Sequence, residues 1–252
     1  SMEGMKLVAP RYVPPLDAGF RPAVLANRAF AADVAACGRG VPLVIGLGRN
    51  NGEVSRYETR VFPEGHPQAG ANRMYAERLV KFLLWQRGGW KVFIGGPRSI
   101  GEHIRRVYSP EGERRFDHQF MGRDVYEQEF TVVVCDAADV PPANEGGRAL
   151  GGHLDGCRIG FDLGASDRKV SAVVDGRAVF SEEVVWEPRK QSDPEYHFRE
   201  IMAGLRAAAA KMPRVDAIGG SSAGVIINNR PMVASLFRGV PREEFHRVKD
   251  LF

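Results

Sequence analysis

The segment GFDLGASDRK, residues 160–169, decides the fold of the second half of this chain. Apolar and β-branched residues flank a run of small and polar residues over 164–168, which predicts a strand, a turn and a second strand. Asp175-Gly176 predicts another tight turn, followed by a third strand. The three strands are predicted over 158–163, 170–174 and 178–186. Together these patterns predict a three-stranded meander.

The first of these turns has the composition of a phosphate site. Gly164 lacks the Cβ that would block the close approach of an anion, and Ser166 offers a hydroxyl donor. Successive turn amides can form an anion-binding nest. Asp162, at the end of a predicted buried strand, can hold Mg²⁺ through water. An ordinary β-hairpin with an aspartate near its turn is the alternative interpretation.

Regular structure is also predicted after the meander. Apolar residues at helical spacing, among them Ile201 and Leu205, predict a helix over 195–211. A strand over 215–219 then leads into Gly219-Gly220-Ser221-Ser222-Ala223-Gly224, which the glycines and serines predict to be a turn. Residues 224–233 are predicted to form another strand or hairpin, and residues 242–252 a helix.

The pattern strand-Asp-x-Gly-x-Ser/Thr-x-x-Lys/Arg-strand over 158–174 resembles the first phosphate element of the actin, hexokinase and Hsp70 superfamily of ATPases (ASKHA). The order of meander, helix and strand also resembles that lobe, and most closely the lobe of ROK sugar kinases. This resemblance implies an α/β fold with a partial ribonuclease-H-like, or actin-like ATPase, lobe preceded by a separate N-terminal α/β domain. It also implies ATP-dependent phosphoryl transfer to a sugar hydroxyl.

The resemblance further implies the ligands and their residues. Mg²⁺ and ATP are the expected cofactors, and a small-molecule sugar is the expected substrate. The expected phosphate and Mg-ATP residues are Asp162, Gly164, Ala165, Ser166 and Lys169. The expected sugar-binding residues are Ser221, Ser222, Asn228 and Asn229. Paired amides suit hydroxyl recognition, but a turn-forming role for the two asparagines is equally compatible with the sequence.

Two features depart from the family. Gly164-Ala165-Ser166 stands where the family often has Gly-Gly-Thr, so Ala165 must adopt the dihedral angles of the second glycine. The kinases' catalytic aspartate, second phosphate and adenosine site, and His- and Cys-rich zinc motif have no counterpart in this sequence. We therefore expect no catalytic residue in this chain, which would be a truncated domain that is inactive alone. We also expect it to associate as a homodimer or with the missing C-terminal lobe.

The first half of the chain has clear local signals but no motif that carries chemistry. We predict helices over 22–37, 72–87 and from Ser99 to Tyr108, and strands over 41–48, 54–62, 91–94 and 130–135. Residues 109–128 are charged and predict no definite element. The domain prediction is an extended N-terminal arm (1–21), an α/β domain of unclear role (22–140), a linker (141–155) and the partial lobe (156–252).

Composition excludes several function classes. The net charge is only +4, and the basic residues form no cluster, so nucleic acid is not an expected partner. No apolar run reaches the ~18 residues that a membrane span needs, and no membrane partner is expected. The protein is predicted to be cytoplasmic, with its three cysteines reduced. The six histidines show no ligand spacing, so no metal bound directly by protein groups is predicted.

Two alternatives remain open at this stage. The first alternative is a non-catalytic sugar or nucleotide sensor or ROK-type regulator, because ROK relatives include repressors that bind sugar without converting it. Residues 1–150 show neither a helix-turn-helix pattern nor a basic excess in its support. The other is an ASKHA ATPase that uses the same phosphate element to drive conformational work.

Overall fold

The computed structural model describes residues 4–147 and 149–251 of the chain. The chain divides into two units, Ser1–Gly147 and Arg148–Phe252, each built from helices and a mixed β-sheet. The α/β class predicted from the sequence is therefore confirmed. None of the helices in the described ranges has the length and apolar character required to cross a membrane.

The described residues of the first unit form four α-helices and four β-strands. They are α1 (Ala23–Ala36), β1 (Val41–Gly48), β2 (Val54–Val61), α2 (Ala71–Arg87), β3 (Lys91–Gly95), α3 (Arg98–Val107), α4 (Arg115–Gln119) and β4 (Thr131–Cys135). The sheet order is β2-β1-β3-β4. Strand β1 is antiparallel to both β2 and β3, whereas β3 and β4 are parallel. The central strand β1 is the most apolar and is buried over Leu43–Gly48.

Local signals predicted most of this unit correctly. The β1–β2 hairpin forms as expected, because Asn51 and Gly52 both adopt a positive φ in its loop. Helix α2 ends at Gly88, whose φ of 78° is compatible with glycine. Residues 4–21 contain neither helix nor strand, and Met5 is buried. The charged stretch without a predicted element forms α4 and a π-helix over Phe120–Tyr126.

The described residues of the second unit form two α-helices and six β-strands. They are β5 (Cys157–Leu163), β6 (Asp167–Val174), β7 (Arg177–Val185), α5 (Pro194–Ala209), β8 (Ala217–Ser222), β9 (Gly224–Ile227), β10 (Arg230–Ala234) and α6 (Phe245–Asp250). The main sheet has the order β7-β6-β5-β8. Strands β5, β6 and β7 form the predicted antiparallel meander, and β8 pairs with β5 in parallel. Strands β9 and β10 form a separate hairpin.

One face of the main sheet carries the core of this unit. Ile159, Val170 and Ala172 pack with Ala208 of α5. Leu163 belongs to a neighbouring cluster with Ile201, Trp186 and Phe237. Gly160 of β5 and its partner Gly219 of β8 lie on the other face, and both are exposed. The sheet is therefore packed on one face and open at its centre on the other.

Three boundary predictions were wrong. The turn predicted at Gly219–Gly224 is mostly strand, because β8 continues to Ser222 in parallel register with β5. Gly220 permits this pairing, since a Cβ there would lie 2.3 Å from the Phe161 ring. The first turn spans only 164–166, because β6 already begins at Asp167. The C-terminal helix is shorter than predicted, with a 3₁₀ turn before α6.

Candidate functional site

Asp162 lies next to two other predicted site residues at the carboxyl end of β5. It is paired with Lys169 on β6 and with Ser221 on β8. Paired residues on neighbouring strands point to the same face of a sheet, so the three side chains share the open face. The Ser221 hydroxyl donates a 2.6 Å hydrogen bond to Oδ1 of Asp162. The strand register therefore brings together residues that are far apart in the sequence.

The turn after β5 is closed by its own backbone. The Gly164 amide donates to the Asp167 carbonyl at 2.9 Å, and a Cβ at position 164 would lie 2.9 Å from that same oxygen. Glycine at this position is thus required by the tightness of the turn itself. Ala165 does not adopt a positive φ, so an alanine at this position carries no backbone strain.

Trp186 orients the turn, and sequence analysis gave this residue no role. Its indole Nε1 donates to the Gly164 carbonyl at 2.9 Å, and its backbone amide donates to the Ser166 carbonyl at 3.1 Å. The Trp186 side chain is buried. Among the residues that the structure describes, the Ala165 and Ser166 amides donate no hydrogen bond. Two donors of the turn therefore remain available to a ligand.

Asp167 holds the two other predicted phosphate ligands, and it too was not predicted. Lys169 Nζ lies 2.5 Å from its Oδ1, and the Ser166 hydroxyl donates to its Oδ2 at 3.0 Å. The hydrogen bond from Lys169, followed by that from Ser166, lowers the pKa of Asp167 below its usual value. The same contact with Asp167 raises the pKa of Lys169. The carboxylate of Asp167 thus occupies donors that a phosphate would use.

The remaining predicted residues have local structural roles. The Ser222 hydroxyl donates to the Leu163 carbonyl at 3.2 Å, and Ser222 points to the opposite face from Ser221. Asn228 and Asn229 form the turn between β9 and β10, with φ values of 51° and 65°. Asparagine tolerates this left-handed conformation better than most residues. The turn-forming role that the sequence left open for them is therefore the one they have in the structure.

Comparison with known proteins adds no family assignment. No protein-family model matches this chain, and no curated protein has significant sequence similarity to it.

This site combines two carboxylates, Asp162 and Asp167, with the donors of the turn. In the described ranges, no three His, Cys, Asp or Glu side chains cluster closely enough to hold a metal ion. Mg²⁺ bound to a nucleotide takes most of its ligands from phosphate and water and needs only one or two protein carboxylates. Asp162, half-buried and on the open face, fits that requirement. The turn amides and Lys169 supply the complementary donors.

Proposed function

We propose that the second unit binds the phosphates of Mg-ATP at the turn 164–166, as part of a ROK-like kinase that transfers a phosphoryl group to a sugar hydroxyl. One observation carries the proposal. Asp162 lies beside a turn whose Ala165 and Ser166 amides donate no hydrogen bond to the described residues. A carboxylate for a hydrated cation and two free donors for an anion thus lie next to each other.

The topology of the second unit supports the same proposal. Three antiparallel strands are followed by helix α5 and by β8, which is parallel to the first strand of the meander. This is the order of elements in the actin-like lobe that the sequence resembles. In such a lobe the phosphate element is the turn between the first two strands, which is the turn after β5 in this chain.

Each residue of the site has a distinct role in the proposed reaction. Phosphoryl transfer depends mainly on positioning and on neutralisation of charge. Asp162 would hold Mg²⁺ through water, and the ion would neutralise charge on the phosphates. Lys169 would exchange its contact with Asp167 for one with a phosphate oxygen. Ser221 would orient Asp162. The sugar-binding roles of Ser221, Ser222, Asn228 and Asn229 follow from the resemblance to ROK kinases alone.

Calorimetric titration with ATP in the presence and absence of Mg²⁺ tests this function. We expect binding to depend on Mg²⁺ and to weaken about tenfold in Asp162→Asn, because the cation loses its carboxylate. Asp155→Asn is the matched control, since Asp155 is an exposed aspartate of the same unit that pairs only with Arg158 in the described contacts. Absence of Mg²⁺-dependent binding to the wild type, or equal affinity in Asp162→Asn, would overturn the proposal.

A further inference from the structure

The first unit contains a cavity between its two longest helices. Helices α1 and α2 contact each other where Phe30 stacks on Tyr75, with ring centroids 4.1 Å apart. Beyond that contact, the first half of α1 and the second half of α2 enclose a cavity of about 610 Å³ over the β1–β2 ribbon. This volume lies within the range of small-molecule pockets in proteins.

Most of the cavity wall is apolar. Ile45 and Leu47 of β1 line its floor, and Leu79 and Leu83 of α2 line one side. At the rim, the side chains of Val24 and Phe82 are 52% and 61% exposed. Exposed apolar groups around a concave apolar surface favour the apolar body of a ligand.

One end of the cavity is polar and carries Glu145. The Ser55 hydroxyl donates to the Glu145 carboxylate, and Arg49 Nη1 donates to Ser55 Oγ at 2.6 Å. Glu145 Oε1 lies 3.8 Å from Nη2 of Arg49 and 3.6 Å from Nη1 of Arg87. These two ion pairs are long, so each guanidinium is attracted to the carboxylate without a close hydrogen bond to it.

Glu145 follows a backbone pairing at Asn144, and the described residues 145–147 make no backbone hydrogen bond. Asn144 exchanges two backbone hydrogen bonds with Val54, of 2.9 and 3.0 Å. After Glu145 come Gly146 and Gly147, which are exposed. The Glu145 side chain can therefore leave Ser55, Arg49 and Arg87 without disturbing the backbone pairing at Asn144.

A second cavity of about 460 Å³ adjoins the first at Gln86, Arg87 and Glu145. The polar end is thus open to solvent on the side of Arg49. Arg78 lines the first cavity as well, and its side chain makes no hydrogen bond or ion pair among the described residues. The charged residues that line the first cavity are Arg56, Arg78, Arg87 and Glu145, and Arg56 is paired with Glu58 at 2.7 Å. Arg49 lines only the second cavity and is also paired with Glu53 at 3.2 Å. The lining of the first cavity thus has an excess of positive charge, which favours an anionic ligand.

From these observations we propose that the cavity binds a small amphipathic organic anion. Its apolar body lies between α1 and α2 over Ile45 and Leu47, and its anionic head group takes the place of the Glu145 carboxylate beside Arg87. Glu145 is then a tethered competitor for the ligand. This site lies wholly in the first unit and does not depend on the phosphate turn of the second unit.

Two fluorescent probes that differ in one charge test the proposal. The probes are 8-anilinonaphthalene-1-sulfonate and its neutral analogue N-phenyl-1-naphthylamine. We expect Arg87→Gln to weaken binding of the sulfonate about fivefold and Glu145→Gln to strengthen it about threefold, because each changes the charge beside the head group. Neither substitution should change the affinity for the neutral probe.

Two further variants locate the probes. Val24→Trp fills the mouth of the cavity from an exposed position, so it should weaken binding of both probes. Phe116→Ala removes an exposed ring that stacks on Phe120 and does not line the cavity, and it should change neither. The proposal is overturned if the probes do not bind, if Val24→Trp has no effect, or if the charge variants leave sulfonate binding unchanged. Circular dichroism checks that every variant is folded.

Discussion

The hydroxyl of Ser221 donates a 2.6 Å hydrogen bond to Oδ1 of Asp162, across two parallel strands whose register places the residues side by side. A hydrogen bond to an ionised acceptor is stronger than one between neutral groups. The bond leaves Oδ2 of Asp162 without a described partner. Ser221 therefore orients the one carboxylate to which we assign the hydrated cation.

Replacing Ser221 by alanine tests this positioning role. We expect Ser221→Ala to weaken Mg-ATP binding about threefold, because the carboxylate gains rotational freedom. Ser222→Ala is the matched control, since the neighbouring serine donates to the Leu163 carbonyl on the other face. Calorimetric titration of both variants measures the effect. An equal loss of affinity in the two would mean that Ser221 acts only through the stability of the strand.

Alanine substitution of the adjacent glycines Gly219 and Gly220 of β8 should affect stability differently. In Gly220→Ala the new Cβ would meet the Phe161 ring at 2.3 Å, so we expect a loss of about 1–3 kcal/mol in the free energy of unfolding. In Gly219→Ala the Cβ meets no atom within 4 Å, so stability should be unchanged or slightly higher. Urea unfolding followed by circular dichroism measures both. Equal stabilities of the two variants would contradict the described packing of Phe161.

His197 should be the most sensitive histidine of the second unit. It is fully buried, and its Nε2 lies 2.9 Å from the Pro188 carbonyl and 3.1 Å from the Leu236 carbonyl. Both partners are acceptors, so Nε2 carries a proton and donates to them.

Phenylalanine at this position keeps the ring but removes the donor. We expect His197→Phe to cost about 1–3 kcal/mol of stability, since two buried carbonyls lose their partner. His246→Phe, at an exposed position, should cost little. Hydrogen exchange of peptides from the second unit measures the loss locally, and unchanged protection in His197→Phe would refute the prediction.

The Asp167–Lys169 pair makes the stability of the turn depend on pH. The contact with Lys169 lowers the pKa of Asp167 below its ordinary value of 3.8. A lowered carboxyl pKa stabilises the folded state above the unfolded pKa, and this stabilisation is lost as the pH falls through the folded pKa. The wild type should therefore be more stable than Lys169→Gln near neutral pH, with the difference vanishing in acid.

Carbon-13 NMR titration of the aspartate carboxyls measures the pKa directly. We expect the pKa of Asp167 to rise in Lys169→Gln and to stay unchanged in Lys190→Gln, whose lysine pairs with Glu187. A pKa of Asp167 that is the same in the wild type and in Lys169→Gln would show that the contact does not persist in solution.

Sequence patterns correctly predicted the hairpin and the meander, because residues close together in the sequence determine them. The β1–β2 hairpin follows from Asn51-Gly52, and the meander follows from alternating apolar residues separated by Asp175-Gly176. The turn 164–166 could be predicted as a turn for the same reason. These features depend on residues that are close together in the sequence, so a local pattern is enough to predict them.

The parts that could not be predicted depend on contacts between distant residues. Gly219-Gly220-Ser221-Ser222 has the composition of a loop, and it becomes a strand because it pairs with β5, 59 residues away. In the sequence, Trp186 has the character of an ordinary core residue. Only the structure shows that its indole donates to the Gly164 carbonyl. The polar end of the cavity is likewise formed by Arg87 and Glu145, which are far apart in the sequence.

Amide chemical-shift mapping with Mg-ATP tests the central claim most directly, because it detects weak binding and locates it. We expect the amides of Ala165 and Ser166 to show the largest saturable shifts, and these shifts to require Mg²⁺ and to diminish in Asp162→Asn. If neither amide resonance shifts, whether or not the nucleotide binds elsewhere on the chain, the assignment of the turn 164–166 as a phosphate site is contradicted.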